Sequence, residues 1–112
     1  MPGARDDYLL RLIQQAAAAL RNLRTRLGGG ASEEEVSRDA DEAISTLLGP
    51  QRATLERLDA WSAANLLGDP DRVNVWSDLV ALQADLKEVS GDSQGSAAFR
   101  KRAESLKAHA RS

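Results

Sequence analysis

The stretch DPDRVNVWSDLVALQADLKEVSG, residues 69–91, decides the fold. The Asp69 side chain can accept from the free N–H groups of a first helical turn, and Pro70 suits the first helical position, where a missing N–H costs nothing. Gly91 supplies the left-handed residue at which helices end. Between these signals Val73, Trp76, Leu79, Val80, Leu82, Leu86 and Val89 recur near the helical period and cover a wide arc. The spacing predicts a long helix over 70–90.

Outward from this block the same pattern repeats. Downstream, a last helix from about Ser93 to Ala110 carries the narrow stripe Phe99, Ala103, Leu106 and Ala110, with Ser93 as its expected cap. Upstream, residues 50–68 give a choppier signal: Leu55 and Leu58, then Trp61, Leu66 and Leu67, with Asp59 placed to cap a second piece. Two short helices are expected there. Ser32-Glu33-Glu34-Glu35 reads as a capping box, and the helix it opens runs to Leu48 and closes at Gly49-Pro50. The stripe of that helix (Val36, Ala40, Ala43 and Leu47, with Ile44 beside it) is narrow and predicts a place at the periphery.

The first helix begins near Asp6 or Asp7 and stops at Leu27, before Gly28-Gly29-Gly30. Leu9, Ile13, Ala16, Leu20, Leu23 and Leu27 form its central stripe. Tyr8, Leu12 and Ala19 widen it on one flank and Leu10 and Ala17 on the other, to an arc of about 200° against the ~100° of a surface helix. Such a helix is expected to be buried on more than one side.

The chain is therefore expected to be all-α: two antiparallel helical hairpins joined by short helices, in one domain over residues 1–112. The first hairpin spans 6–48, the short-helix insert 50–68 and the second hairpin 69–111. Sliding the sequence by 63 residues sets Ile13 on Trp76, Ala16 on Leu79, Leu23 on Leu86, Gly28 on Gly91, Val36 on Phe99, Ala40 on Ala103 and Ala43 on Leu106, the signature of two stacked hairpins. Gly28 with Ala40 and Gly91-Asp92 with Ala103, each twelve residues apart, look like the Gly and second Ala of a tetratricopeptide repeat. Glu33, Ser37, Ser96 and Arg100 stand where that motif carries small or aromatic residues, and Phe99 falls one place early. From Asp7-Tyr8-Leu9-Leu10-Arg11-Leu12-Ile13-Gln14-Gln15 through Leu47-Leu48-Gly49 to Gly91-Asp92, the chain also resembles a family of uncharacterised bacterial all-helical proteins with tetratricopeptide-like packing. The resemblance implies a tetratricopeptide-like bundle and brings no activity, cofactor or site residue.

Composition limits the chemistry. The 112 residues hold no Cys, one His (His109) and four aromatics (Tyr8, Trp61, Trp76, Phe99), with a net charge of -2. No strong positive field favours nucleic acid. The longest apolar run, Ala16–Leu20, is far shorter than the ~20 residues of a membrane span, and acids stand where a secretory signal carries bases. A cytoplasmic protein without cofactor is expected.

Gly91-Asp92-Ser93-Gln94-Gly95 matches the G-x-S-x-G nucleophile elbow, which needs a strand before it and a His nearby in space. No strand is predicted and His109 lies sixteen residues on, so a turn and cap is the reading and no enzyme is expected. Asp69-Pro70-Asp71 starts like a calcium loop, but Val73 and Val80 replace ligand oxygens. Glu33, Glu34, Glu35, Asp39, Asp41 and Glu42 lack the Glu-x-x-His partner of a di-metal site and read as a solvated face. Arg100, Lys101, Arg102, Lys107 and Arg111 make the last helix basic, with partial neutralisation by the acidic second helix expected.

What remains is a non-enzymatic module binding another protein or itself, with Tyr8, Leu10, Leu12, Trp61 and Trp76 as candidate interface residues, the two tryptophans doubling as candidate core. The alternative is a small-molecule-binding or catalytic bundle with a pocket between the two long helices and Arg11 or Arg24 as anion anchor.

Overall fold

The computed structural model describes the backbone of residues 4–110 and the side chains of residues 7–110. In chain order the helices are α1 (Ala4–Gly28), α2 (Glu33–Leu48), α3 (Arg52–Arg57), α4 (Ala60–Leu67), α5 (Pro70–Val89) and α6 (Ser93–Ala110), with a 3-10 turn at Gly49–Gln51. The fold is all-α, and no strand occurs among the described residues.

α5 is the central element. It packs against α1, α2, α4 and α6 and buries Val73, Trp76, Ser77, Leu79, Val80, Leu82, Ala84 and Leu86, which is why its apolar arc is so wide. Asp69 Oδ1 accepts from the N–H groups of Asp71 at 2.9 Å and Arg72 at 3.1 Å. At the other end Gly91 adopts φ +88°, letting the Asp92 N–H reach back to the Lys87 carbonyl at 2.8 Å. Val89, expected on the apolar stripe, is exposed. α6 folds back along α5, and the buried Ser77 hydroxyl donates to the Ala103 carbonyl at 2.8 Å between them.

α1 and α2 form the first hairpin, and their turn departs from the expected one. α1 continues through Gly28; the left-handed residue is Gly30, with φ +84°, and the Ala31 N–H donates to the Arg26 carbonyl at 2.9 Å. Sliding by 63 residues thus superimposes the buried pairs Ala16/Leu79, Leu23/Leu86, Ala40/Ala103 and Ala43/Leu106 but not the turns, since Gly28 is helical and Gly91 is not.

Capping corrects the sequence reading at three termini. Ser32 occupies the N-cap of α2, yet its side chain makes no capping bond; the first turn is left to Glu33, Glu34 and Glu35, which the helix dipole favours. Ser93 is already helical, and the cap of α6 is Asp92, whose Oδ1 accepts from the Gly95 N–H at 2.8 Å. α1 is under way by Ala4, which puts Asp7 inside the first turns; a capping role for Asp6 lies outside the described side chains, as does Arg111.

Burial also differs from expectation. α2 packs on both α1 and α5, and its six buried residues (Val36, Ala40, Ala43, Ile44, Leu47, Leu48) serve both neighbours, so its narrow stripe marks a helix wedged between two others. α1 is enclosed only in its second half, where Ala16, Leu20 and Leu23 are buried. Gln15 and Ala19 line one cleft with Thr46 and Glu42, an antiparallel register that sets Leu48 level with about Ile13. Residues 4–12, about two and a half turns, overhang the end of α2.

Three half-buried arginines tie the helices together, two of them through the 49–67 segment. Arg52 donates to the Asp41 carboxylate at 2.6 Å and to the Asp41 carbonyl at 2.9 Å. Arg102 donates to the carbonyls of Leu58 at 2.7 Å and Leu55 at 3.0 Å, where α3 ends. Arg72 donates through Nε at 2.9 Å and Nη2 at 2.7 Å to the carbonyl of Leu47, at the end of α2. Each cation meets the negative end of a helix dipole or a carboxylate. Burial lowers the pKa values of Arg72 and Arg102, whereas for Arg52 it is outweighed by Asp41 and Glu56 and the value rises.

Candidate functional site

The overhang of α1 makes the most distinctive surface. Tyr8 is 54% and Leu10 53% exposed, on opposite flanks of the same two turns, while Leu9 and Leu12 between them are half-buried against the body. On the Tyr8 side lies an open groove of about 660 Å³. It is lined by Tyr8, Leu9 and Leu12 of α1, by Thr46 and Leu48 of α2, by Gly49, Pro50 and Gln51 of the turn that follows, and by Leu67, Asp69 and Arg72 around the start of α5. Groove and overhang share one cause: α2 is shorter than α1, so the chain turns away at Gly49 and leaves the first helix standing over the start of α5.

The sequence-derived interface residues separate. Tyr8, Leu10 and Leu12 gather at this end, Leu10 facing away from the groove that Tyr8 and Leu12 line. Trp61 is 62% exposed on α4, beside His109 in a shallow cleft of about 120 Å³. Trp76 is 1% exposed; as a central residue of α5 it is core, and no partner can reach it. Sequence reasoning missed the exposure of Leu66 and the groove's cation, Arg72. Arg72 had a signal: a cation in the first turn of a helix, against the dipole, is out of place unless it serves another element.

The expected anion anchors do not reach a pocket. Arg11 and Arg24 are exposed and line none of the described grooves; Arg72 is the cation that does so at the ends of the two long helices. A second groove of about 610 Å³ runs between α2 and α6 over α5, floored by Leu86 and Phe99 and rimmed by Glu33, Glu34, Arg38 and Lys87.

The basic face of α6 is neutralised from a different quarter than expected. Arg100 pairs with Asp85 at 2.9 Å and Glu88 at 3.5 Å, and Lys107 with Asp78 at 2.6 Å, all on α5. Of the α2 acids, Asp39 pairs with Arg26 and Asp41 with Arg52, while Glu33, Glu34, Glu35 and Glu42 make no ion pair among the described residues. Ser93 and His109 stand at opposite ends of α6, about 24 Å apart along the axis, and helix rather than strand precedes the turn at Gly91. No family model matches this chain, nor does any curated protein or solved structure compared with it.

Proposed function

We propose that this chain is a non-enzymatic, tetratricopeptide-like helical module that works in the cytoplasm by binding another protein or a second copy of itself through the overhanging end of α1. The observation that carries the reading is the half-exposed Leu10 on turns with no α2 beside them. An apolar side chain presented on a helical turn offers a partner an anchor. The separation of Ser93 from His109 supports the absence of elbow chemistry, and the ion pairs from α6 to α5 leave that helix with less charge for nucleic acid. No described helix is long and apolar enough to cross a membrane.

The test is Leu10→Arg, because Leu10 lies on the exposed flank and its loss spares the core. Light scattering coupled to size exclusion, with a photo-crosslinker at position 10 in the cell of origin, reads the outcome. A dimer that becomes a folded monomer, or a cross-linked partner lost in the variant, supports the reading. A wild-type monomer that cross-links to no protein at position 10 overturns it.

A further inference from the structure

The open face of α1 carries its charges in an order that fits its own copy. Asp7, Leu10, Gln14, Ala17, Ala18 and Arg21 fall within an arc of about 100° on the helix, away from the side that buries Ala16, Leu20 and Leu23. All six are exposed except Ala17, which is half-buried. Asp7 stands at the start of this face and Arg21 about 21 Å further along the axis. Neither makes an ion pair among the described residues. An acid at one end and a base at the other, too far apart to meet on one helix, are matched by a second α1 running the opposite way. Sizes match in the same sense: Leu10 projects from one half of the face, and Ala17 and Ala18 leave room in the other. Gln14 lies midway between Asp7 and Arg21, and its amide both donates and accepts, so it can pair with its own copy across a two-fold axis.

We propose that the partner of the α1 overhang is a second copy of this chain, α1 lying antiparallel on α1 about a two-fold axis beside Gln14, an inference that rests on the reading of Leu10 as an anchor. Each Asp7 then faces the partner's Arg21, each Leu10 settles against the partner's Ala17 and Ala18, and the two Gln14 amides bond each other. Such an interface uses the same patch twice and closes at two copies. A strip of about four turns from each copy buries on the order of 1,000 Å² in total, under the ~1,200 Å² at which stable interfaces begin. The dimer is therefore weak and reversible, and its exposed end pairs set direction and register more than affinity.

The experiment is sedimentation velocity of the full chain up to about 1 mM, with circular dichroism to show that each variant is folded. Wild type is expected to dimerise reversibly. Asp7→Lys and Arg21→Glu each set like charges together at both ends and are expected to weaken the dimer at least about fivefold. The double variant restores both pairs with their signs exchanged and is expected to return to within about twofold of wild type. Compensation within one chain is excluded by the separation of about 21 Å. Register is read by cysteine substitution in a chain that has none. Gln14→Cys, at the axis, is expected to oxidise to a linked dimer, and Arg21→Cys, whose copy lies about 21 Å away, to do so at least about tenfold more slowly. A monomer at about 1 mM, charge effects that simply add in the double variant, or equal oxidation at positions 14 and 21 overturns the antiparallel self-pairing. A monomer that cross-links another protein through position 10 overturns the self-pairing and leaves the reading of Leu10 standing, and a monomer that cross-links none overturns both.

Discussion

The Arg102 guanidinium carbon stands 5.4 Å from the centre of the Trp76 ring, within cation–π range, while its Nη atoms hold the end of α3. One side chain thereby joins the central helix to the short-helix segment. Trp76→Ala removes the largest fully buried side chain and the floor beneath Arg102, and is expected to cost about 3–5 kcal/mol in urea unfolding. Trp61→Ala is expected to change stability by less than about 0.5 kcal/mol. Tryptophan emission separates the two sites: in Trp61→Phe the remaining Trp76 emits to the blue, and in Trp76→Phe the remaining Trp61 emits to the red.

Asp92 rather than Ser93 caps α6, so the two substitutions should differ. Asp92→Ala is expected to cost about 0.5–2 kcal/mol in thermal or urea unfolding, the usual loss for a capping side chain, and Ser93→Ala a few tenths at most. Equal losses would restore Ser93 as the cap.

Asp59 introduces a pH dependence of known sign. Its carboxylate accepts from the Ser62 N–H at 2.7 Å and hydroxyl at 3.1 Å, and these bonds hold its pKa below the usual carboxylate value. A group whose folded pKa is depressed contributes stability that is fully present above its unfolded pKa of about 3.9 and is lost as pH falls through the folded value. Asp59→Asn should therefore shallow the acid limb of the stability profile between about pH 5 and 2 and leave its shape at neutral pH unchanged. An acid limb as steep as the wild type's would show the cap to be absent in solution.

Ser77 is buried between α5 and α6, and its hydroxyl is satisfied by Ala103. Removing the hydroxyl with Ser77→Ala is expected to cost about 0.5–1.5 kcal/mol, the net worth of such a bond. Ser77→Val, which adds bulk where the helices meet, should cost more, since overpacking a core is typically worth about 1–3 kcal/mol. Urea midpoints of the two variants rank them.

The helices were legible because their ends are written locally: Asp69-Pro70, Gly49-Pro50, Asp59 and Gly91 act within a few residues of themselves, and all behave as their chemistry dictates. What depended on length mismatch was not legible. The apolar arc of α1 has the same width at Tyr8 as at Leu20, and only the relative lengths of α1 and α2 decide that one end is covered and the other is not. Trp61 and Trp76 posed the same difficulty, with similar local spacing and opposite fates set by which helix lies at the centre. Arg72 and Arg102 act across 25 and at least 44 residues of chain, and no local pattern announces such contacts.

The uneven distribution of ion pairs gives the molecule a built-in electrical direction. Arg100 and Lys107 of α6 are matched by acids of α5, whereas four glutamates of α2 make no ion pair among the described residues. A protein of net charge -2 is then not electrically uniform: α2 carries six acids against one arginine, Arg38. A basic partner would be turned toward α2 before contact, and its rate of encounter would fall as salt compresses the field to about 8 Å at physiological ionic strength. For such a partner, the unpaired acids of α2 would bias the angle of first approach, independently of which residues finally make the bond.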